Sequence, residues 1–290
     1  MEEIIFLNNQ FISKDKASIS VNDRGFHFAD GVYEMIKFYK NKPFRVGEHV
    51  NRLKRSLKEV RIEYAGISKI ENICYELIRM NQLKDNYAGI YIQITRGSHP
   101  RIHQFPDNIS PTICIDSFSL STRKEQLIDG IKVITRPDIR WLRCDIKSVS
   151  LLANVLMMQE AKELGASECI LVRNGVISEG THSNVLGVKN GKIITHPDSN
   201  YILPGITKGA VKDICTENSI EFSENSFTEE EINNLDELMV AGTGNEVMPV
   251  IHVNDMMIGD GKPGTVTRFI QKKFFEMTYE SLAKDTWWNW

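Results

Sequence analysis

The sequence lacks close cysteine pairs and the His-Glu-x-x-His pattern, so it offers no motif for a zinc ribbon or a zinc hydrolase. Its five cysteines, Cys74, Cys114, Cys144, Cys169 and Cys215, are widely spaced and odd in number, which argues against a disulfide scaffold. Reduced, mostly buried thiols are expected. No uncharged run is long enough to cross a bilayer. The acidic start, MEEIIFLNNQ, is the reverse of a signal peptide's basic region, so the expected compartment is the cytoplasm. Neither GxGxxG after a strand nor GxxxxGK[ST] occurs, which removes the usual support for nucleotide binding. An excess of basic charge is missing too. Lys and Arg total 35 against 38 for Asp and Glu, a net charge of -3, and this leaves no global field to attract nucleic acid or an acidic membrane.

What is present is core material. Over 290 residues, 41% are hydrophobic and 25% charged, enough for one large domain or two joined ones. Asn8-Asn9, Asn174-Gly175 and Asn190-Gly191 each separate apolar runs and predict hairpins. Val50, Leu53, Leu57 and Val60 have helical spacing, as do Ile70, Ile73, Leu77 and Ile78. Ile90, Ile92 and Ile94 alternate as in a half-buried strand. A polar stretch, SFSLSTRKEQLIDG, is the best linker candidate, and a long helix is expected from about Ser148 to Leu164. A further helix should start at Ile206, after Pro204-Gly205. Clustered hairpins mixed with isolated helices predict α+β domains with mixed or antiparallel sheets, and a cleft between two unlike halves as the ligand position.

Several residues have the chemistry for a site. Lys147 precedes the expected helix, where the dipole would disfavour its positive charge and ease its conversion to a nucleophilic amine. Its alternative is a surface lysine paired with Asp145. Glu179, followed by Gly-Thr-His-Ser-Asn, either faces a cofactor ring nitrogen or caps a turn. Ile206 and Thr207 open a helix, so their N–H groups and the Thr207 hydroxyl form a candidate phosphate cup. Thr243 belongs to a second small-residue loop able to hold an anion, and Arg52 is either a long basic arm toward that anion or a solvated helix charge. Arg101 and His103, two apart, would point to one side of an extended segment as a carboxylate trap, or form a polar loop rim.

At these residues the chain resembles the fold-type IV pyridoxal-phosphate aminotransferases, and within them the D-amino acid aminotransferases. The resemblance runs through DRGFHFADGVYE, EHVNRL, YIQITRGSHPRIHQFP, DIRWLRCDIKSVSLLANVL, EGTHSNV, LPGIT and the loop before EVMPV. It covers nearly the whole chain, and RIHQFP narrows it to the D-specific branch. Two positions depart from that branch. His182 stands where its members have serine, and Gly242 where they have a hydroxyl residue.

The resemblance implies a two-domain fold-type IV enzyme, with a smaller N-terminal α+β domain over 1–120, a linker near 119–124, and a larger C-terminal domain over 121–290. Pyridoxal phosphate and substrate would lie at the interdomain cleft. Lys147 would form the internal aldimine and shuttle the substrate proton. Glu179 would keep the ring nitrogen protonated. Arg52, Ile206, Thr207 and Thr243 would hold the phosphate, and Leu203 would pack against the ring. Tyr33, Arg101 and His103 would bind the substrate carboxylate, the last two reaching into a partner subunit's site. A homodimer acting on small D-amino acids and 2-oxo acids is implied, with D-alanine and 2-oxoglutarate giving pyruvate and D-glutamate. Competing readings are a branched-chain L-aminotransferase, an aminodeoxychorismate lyase, and a cofactor-binding protein without turnover. No metal, nucleic acid or membrane partner is expected.

Overall fold

The computed structural model describes residues 2–279. Trp287, Trp288 and Trp290, which the sequence suggests as a cover for an apolar surface or a subunit interface, lie outside them. The chain divides into two compact units. The first runs to Thr122 and also takes Ile146–Leu151; the second comprises Arg123–Asp145 and the chain from Leu152 onward.

In the first unit, strands β1 (Ile4–Leu7) and β2 (Gln10–Ser13) form a hairpin. A short helix, α1 (Arg24–Phe28), follows, and then β3 (Gly31–Tyr39) and β4 (Lys42–Pro43). Two amphipathic helices come next, α2 (Val46–Glu59) and α3 (Ile70–Met80), and then β5 (Tyr87–Thr95) and β6 (Thr112–Ser119). Among the described residues these strands make a six-stranded sheet in the order β2-β1-β6-β5-β3-β4, antiparallel throughout.

The period-2 pattern decides what each face meets. Val32, Ile36, Phe38, Ile90, Ile92 and Ile94 point to one face and are buried with Leu53, Leu57, Ile70 and Leu77 of α2 and α3. Glu34 stands in the same inward row of β3, opposite Ile92. A charge among aliphatic neighbours requires a partner, and α2 supplies it (below).

The second unit begins with α4 (Lys124–Asp129) inside the stretch expected to be linker, then β7 (Ile131–Pro137). Helix α5 (Leu152–Glu163) connects β7 to the parallel strand β8 (Glu168–Arg173). It packs on both strands through Ile134, Met157, Ala161, Cys169 and Leu171. Then come β9 (Val176–Gly180), β10 (Asn184–Lys189), β11 (Lys192–Thr195), α6 (Ile206–Glu217), β12 (Phe222–Ser223), β13 (Glu237–Gly242), β14 (Glu246–Val253), β15 (Met256–Met257) and α7 (Thr265–Tyr279).

The order is β12-β11-β10-β13-β14-β7-β8-β9, with β15 on β14: nine strands among the described residues, in mixed orientation. The α+β class with mixed and antiparallel sheets is as the sequence predicts. Asn174-Gly175 and Asn190-Gly191 close their hairpins with both residues at positive φ, the geometry Asn-Gly favours.

One expectation fails. The helix predicted from Ser148 starts at Leu152, because residues 146–149 leave the helical path and join β3. Ser148 bridges Val32, the Val149 N–H donates to the Gly31 carbonyl at 3.1 Å, and the Tyr33 N–H donates to the Lys147 carbonyl at 2.9 Å. Lys147 is therefore part of an added strand edge, five residues before the helix. The helix-dipole argument for it does not apply.

Candidate active site

In the first unit, Lys147 is fixed by its main chain. Its N–H donates to the Ser56 hydroxyl at 3.2 Å, and its carbonyl accepts from Tyr33. Its side chain stays available, with the ammonium nitrogen 4.3 Å from the centre of the Tyr33 ring. Tyr33 lies on the outward face of β3, opposite Gln93, and its ring stacks at a tilt on Tyr91. Asp145 engages Arg143 at 2.9 and 3.1 Å.

Beneath this pair is a buried ionic group that the sequence reading missed. Arg52 Nε and Nη2 donate to the two oxygens of Glu34, at 2.9 and 2.7 Å, and His49 Nδ1 stands 3.0 Å from Glu34 Oε1. Glu34 and His49 are 0% and 1% exposed. Burial alone would raise the Glu34 carboxyl, but Arg52 and His49 outweigh it and hold it well below the usual carboxylate range. Burial also lowers His49; Glu34 opposes this, while Arg52 and Lys147 add to it.

The signal was there: His49, Arg52 and Ser56 lie three and four apart on α2, beside the apolar Leu53 and Leu57, and all are buried. Arg52, expected as a phosphate arm, is thus oriented by a fork-to-carboxylate bond with Glu34.

Arg101 and His103 are exposed on a chain of bends, not an extended strand. They are nonetheless brought together across one ring. The Arg101 guanidinium carbon is 4.8 Å from the centre of Phe28, and the His103 and Phe28 ring centres are 5.3 Å apart. Tyr33 belongs to a separate grouping, with Lys147.

In the second unit Glu179 is the penultimate residue of β9, buried. Its Oε1 accepts from Arg140 Nη1 at 2.5 Å, and its Oε2 accepts from the Leu203 N–H at 2.9 Å and Asn184 Nδ2 at 3.3 Å. The same Asn184 amide donates to the Leu203 carbonyl at 2.9 Å, so it ties Leu203 to Glu179. Arg140 forks onto Asp138 through two bonds of 2.9 Å, and Arg173 pairs with Asp138 at 2.8 Å. Burial would raise Asp138, but Arg140 and Arg173 hold it below its ordinary value. Arg140, Asp138 and Asn184 were not singled out from sequence; the density of charge in DIRWLR hinted at the first two.

Three residues beyond Leu203, α6 begins. Its N-cap is Gly205, which supplies no side-chain bond to the first turn. The N–H groups of Ile206 and Thr207 therefore lack the usual capping oxygen. A Cβ at Gly205 would collide with the Asn184 amide oxygen, so only glycine permits this approach. Helix α6 packs on β13, and Thr243 lies in the turn that follows β13.

His182 adjoins this turn. Its Nδ1 is 3.1 Å from Glu168 Oε2, and its Nε2 is 3.2 Å from Asn245 Nδ2, while Arg123 donates to the Asn245 carbonyl oxygen at 3.0 Å. A Cβ at Gly242 would lie 3.1 Å from the His182 carbonyl. The two positions that depart from the D-specific pattern are thus neighbours.

These donors fit pyridoxal phosphate. An uncapped helix start suits a phosphate, a buried carboxylate suits a pyridinium nitrogen, and a lysine hydrogen-bonded through its main chain suits an aldehyde. Among the described residues no group of three or more His, Cys, Asp or Glu is placed to hold a metal ion, and no helix is long and apolar enough to cross a membrane.

Comparison with known proteins agrees with this donor set. The family model described as "Amino-transferase class IV" matches residues 31–253, most of the chain. This chain belongs to the class IV aminotransferases. Among members of that family, it is 42% identical over 272 residues to the D-alanine aminotransferase of Staphylococcus haemolyticus, covering 93% of this chain and 96% of that one. It is 38% identical over 281 residues to the D-alanine aminotransferase of Bacillus licheniformis, covering 97% and 99%. The branched-chain amino acid aminotransferase of Escherichia coli has a similar structure, with a TM-score of 0.90 at 29% identity over 99% of this chain and 98% of that chain. The class IV fold is therefore shared by members of different substrate class, and substrate choice has to be argued from side chains.

Proposed function

We propose that this class IV aminotransferase moves the amino group of a small D-amino acid, D-alanine, to 2-oxoglutarate, giving pyruvate and D-glutamate, with pyridoxal phosphate as cofactor. The observation that carries the reading is the pairing of Arg101 and His103 across Phe28, two cationic or hydrogen-bonding groups set together on a loop. Full-length similarity to two D-alanine aminotransferases supports it.

Pyridoxal phosphate, when bound, supplies an aldehyde that condenses with amines and a ring that draws electrons from the substrate Cα. The chain's own groups do the rest. The Lys147 amine would bind the cofactor's aldehyde carbon at rest and, as a free amine, would carry the proton from the substrate Cα to that carbon. Glu179, ion-paired with Arg140, would hold a proton on the ring nitrogen. The Ile206 and Thr207 N–H groups, the Thr207 and Thr243 hydroxyls and the Arg52 charge bind the phosphate. Leu203, held by Asn184 and Glu179, would lie against the ring.

Tyr33, Arg101 and His103 receive the substrate carboxylate, Arg101 and His103 serving the site of a second copy. A homodimer is supported by the apolar side chains that α5 leaves exposed, Leu152, Val155 and Leu156. Five free cysteines support a reducing, cytoplasmic location, without nucleic-acid or membrane partners.

The test is turnover by cofactor-saturated protein with 2-oxoglutarate. Pyruvate should form from D-alanine and not from L-alanine, and L-leucine should be inert. Turnover of L-leucine instead, or pyruvate release from aminodeoxychorismate, would replace this reading with one of its competitors.

A further inference from the structure

The segment that carries Arg101 and His103 has no strand or helix of its own, from Gly97 through Ser110. Such a stretch is held by its tertiary bonds or not at all. Its long-range hydrogen bonds to other elements come from the start of α1, while farther along Phe105 packs against the guanidinium groups of Arg96 and Arg61, 3.5 and 4.8 Å from its ring centre. The His99 N–H donates to the Asn22 carbonyl at 3.1 Å, the Arg24 N–H donates to the Gly97 carbonyl at 2.9 Å, and Asp23 bridges Ser98. The side chain of Arg24 then reaches past them. Its Nη1 donates to the Ile102 carbonyl at 2.6 Å and its Nη2 to the His103 carbonyl at 3.3 Å.

Arg24 is itself immobilised. It is 3% exposed, and its Nε donates to Asp30 at 2.7 Å. Asp30 is in turn forked by Arg96 at 2.8 and 2.9 Å, and Arg96 anchors on the carbonyls of Val60 and Arg61. The guanidinium of Arg24 also lies 4.8 Å from the centre of Phe28, the ring against which Arg101 and His103 rest. One arginine therefore touches the main chain of the segment and the aromatic platform beneath its side chains.

We propose that Arg24 is a positioning residue for substrate recognition: by holding the carbonyls of Ile102 and His103 over Phe28, it sets the spacing of the Arg101 and His103 side chains that receive the substrate carboxylate. The inference rests on the reading of Arg101 and His103 as carboxylate-binding groups. It uses the planar fork of arginine, whose three nitrogens each take a different acceptor, where a lysine offers a single nitrogen.

The test compares Arg24→Lys, Phe28→Leu and Arg101→Ala in the holoenzyme, reading KM and kcat for D-alanine, the affinity for added pyridoxal phosphate, and the thermal midpoint. Arg24→Lys should raise KM for D-alanine roughly tenfold, the order set by losing a charge-assisted bond, with kcat changed less than about twofold. Phe28→Leu should raise KM about threefold by removing the cation–ring contact. Cofactor affinity should stay at the wild-type value in both.

Reaction of a primary amine that has no carboxylate should be as fast in Arg24→Lys as in wild type. A unchanged KM for D-alanine in folded Arg24→Lys, alongside a raised KM in Arg101→Ala, would overturn the role of Arg24 and leave the carboxylate reading standing. An unchanged KM in Arg101→Ala would overturn the carboxylate reading itself. Should Arg24→Lys fail to fold, Phe28→Leu decides: a KM equal to wild type counts against the platform.

Discussion

The Lys147 ammonium nitrogen lies 4.3 Å from the centre of the Tyr33 ring, while the Tyr33 N–H donates to the Lys147 carbonyl at 2.9 Å. The two residues are thus joined twice, by main chain along a strand edge and by side chain across a ring face. The main-chain bonds need no particular side chain at position 147. The amine is left for chemistry.

Replacing Lys147 by alanine should therefore abolish transamination without unfolding the protein. Turnover should fall by at least about a thousandfold, as when a covalent catalytic group is removed. The thermal midpoint should move by no more than about 2 °C, because surface-type changes cost little. A matched assay and melting curve check both. A variant that melts many degrees lower would mean that the lysine is structural.

Glu34 makes a separate prediction about pH. Arg52 and His49 hold its carboxyl below its ordinary value of 4.5, so its contribution to stability is complete above that value and is lost as pH falls below it. His49 is depressed below its ordinary 6.5, so the unfolded chain takes up its proton first, and stability declines as pH drops through that value. Both effects have the same sign. Urea midpoints should fall from pH 7 toward pH 4, and Glu34→Gln should flatten the part of the curve below 4.5.

The same substitution should also cost about 3–5 kcal/mol at neutral pH, since it withdraws the carboxylate from a buried guanidinium. The urea midpoint at pH 7 measures this. A loss below about 1 kcal/mol would show that the ion pair is no stronger than a surface one.

At Gly205, alanine should disturb the second unit in a defined way. The added Cβ meets the Asn184 amide oxygen, and Asn184 bonds both Glu179 and the Leu203 carbonyl, reinforcing the direct Leu203 N–H bond to Glu179. Gly205→Ala should lower stability by about 1–3 kcal/mol, the usual range for overpacking, and weaken binding of pyridoxal phosphate. Calorimetry on the variant, followed by cofactor titration, checks the pair of effects. Wild-type cofactor affinity would separate Asn184 from the site.

Much of the fold was legible because local signals agreed with the final packing. Asn174-Gly175 and Asn190-Gly191 specify hairpins by their tolerance of positive φ, and Pro204-Gly205 marks the start of α6 at Ile206. Residues 146–151 were misread because Val149, Leu151 and Leu152 continue an apolar spacing that a helix would also produce. Their pairing with β3 is a tertiary bond that no local pattern announces.

Glu34 was overlooked for the opposite reason. A charge in an inward strand row looks like a break in the pattern unless its partners on α2 are known. Lys147, Glu179 and the start of α6 were visible as types of residue at element ends, whereas Arg140, Asn184 and Arg24 act through contacts with residues far along the chain.

The most direct measurement is chiral analysis of the glutamate formed when cofactor-saturated protein is given D-alanine and 2-oxoglutarate. The account predicts D-glutamate from the wild type, in step with pyruvate, and none from Lys147→Ala. L-glutamate from the wild type, or no glutamate from folded protein holding its cofactor, would contradict it.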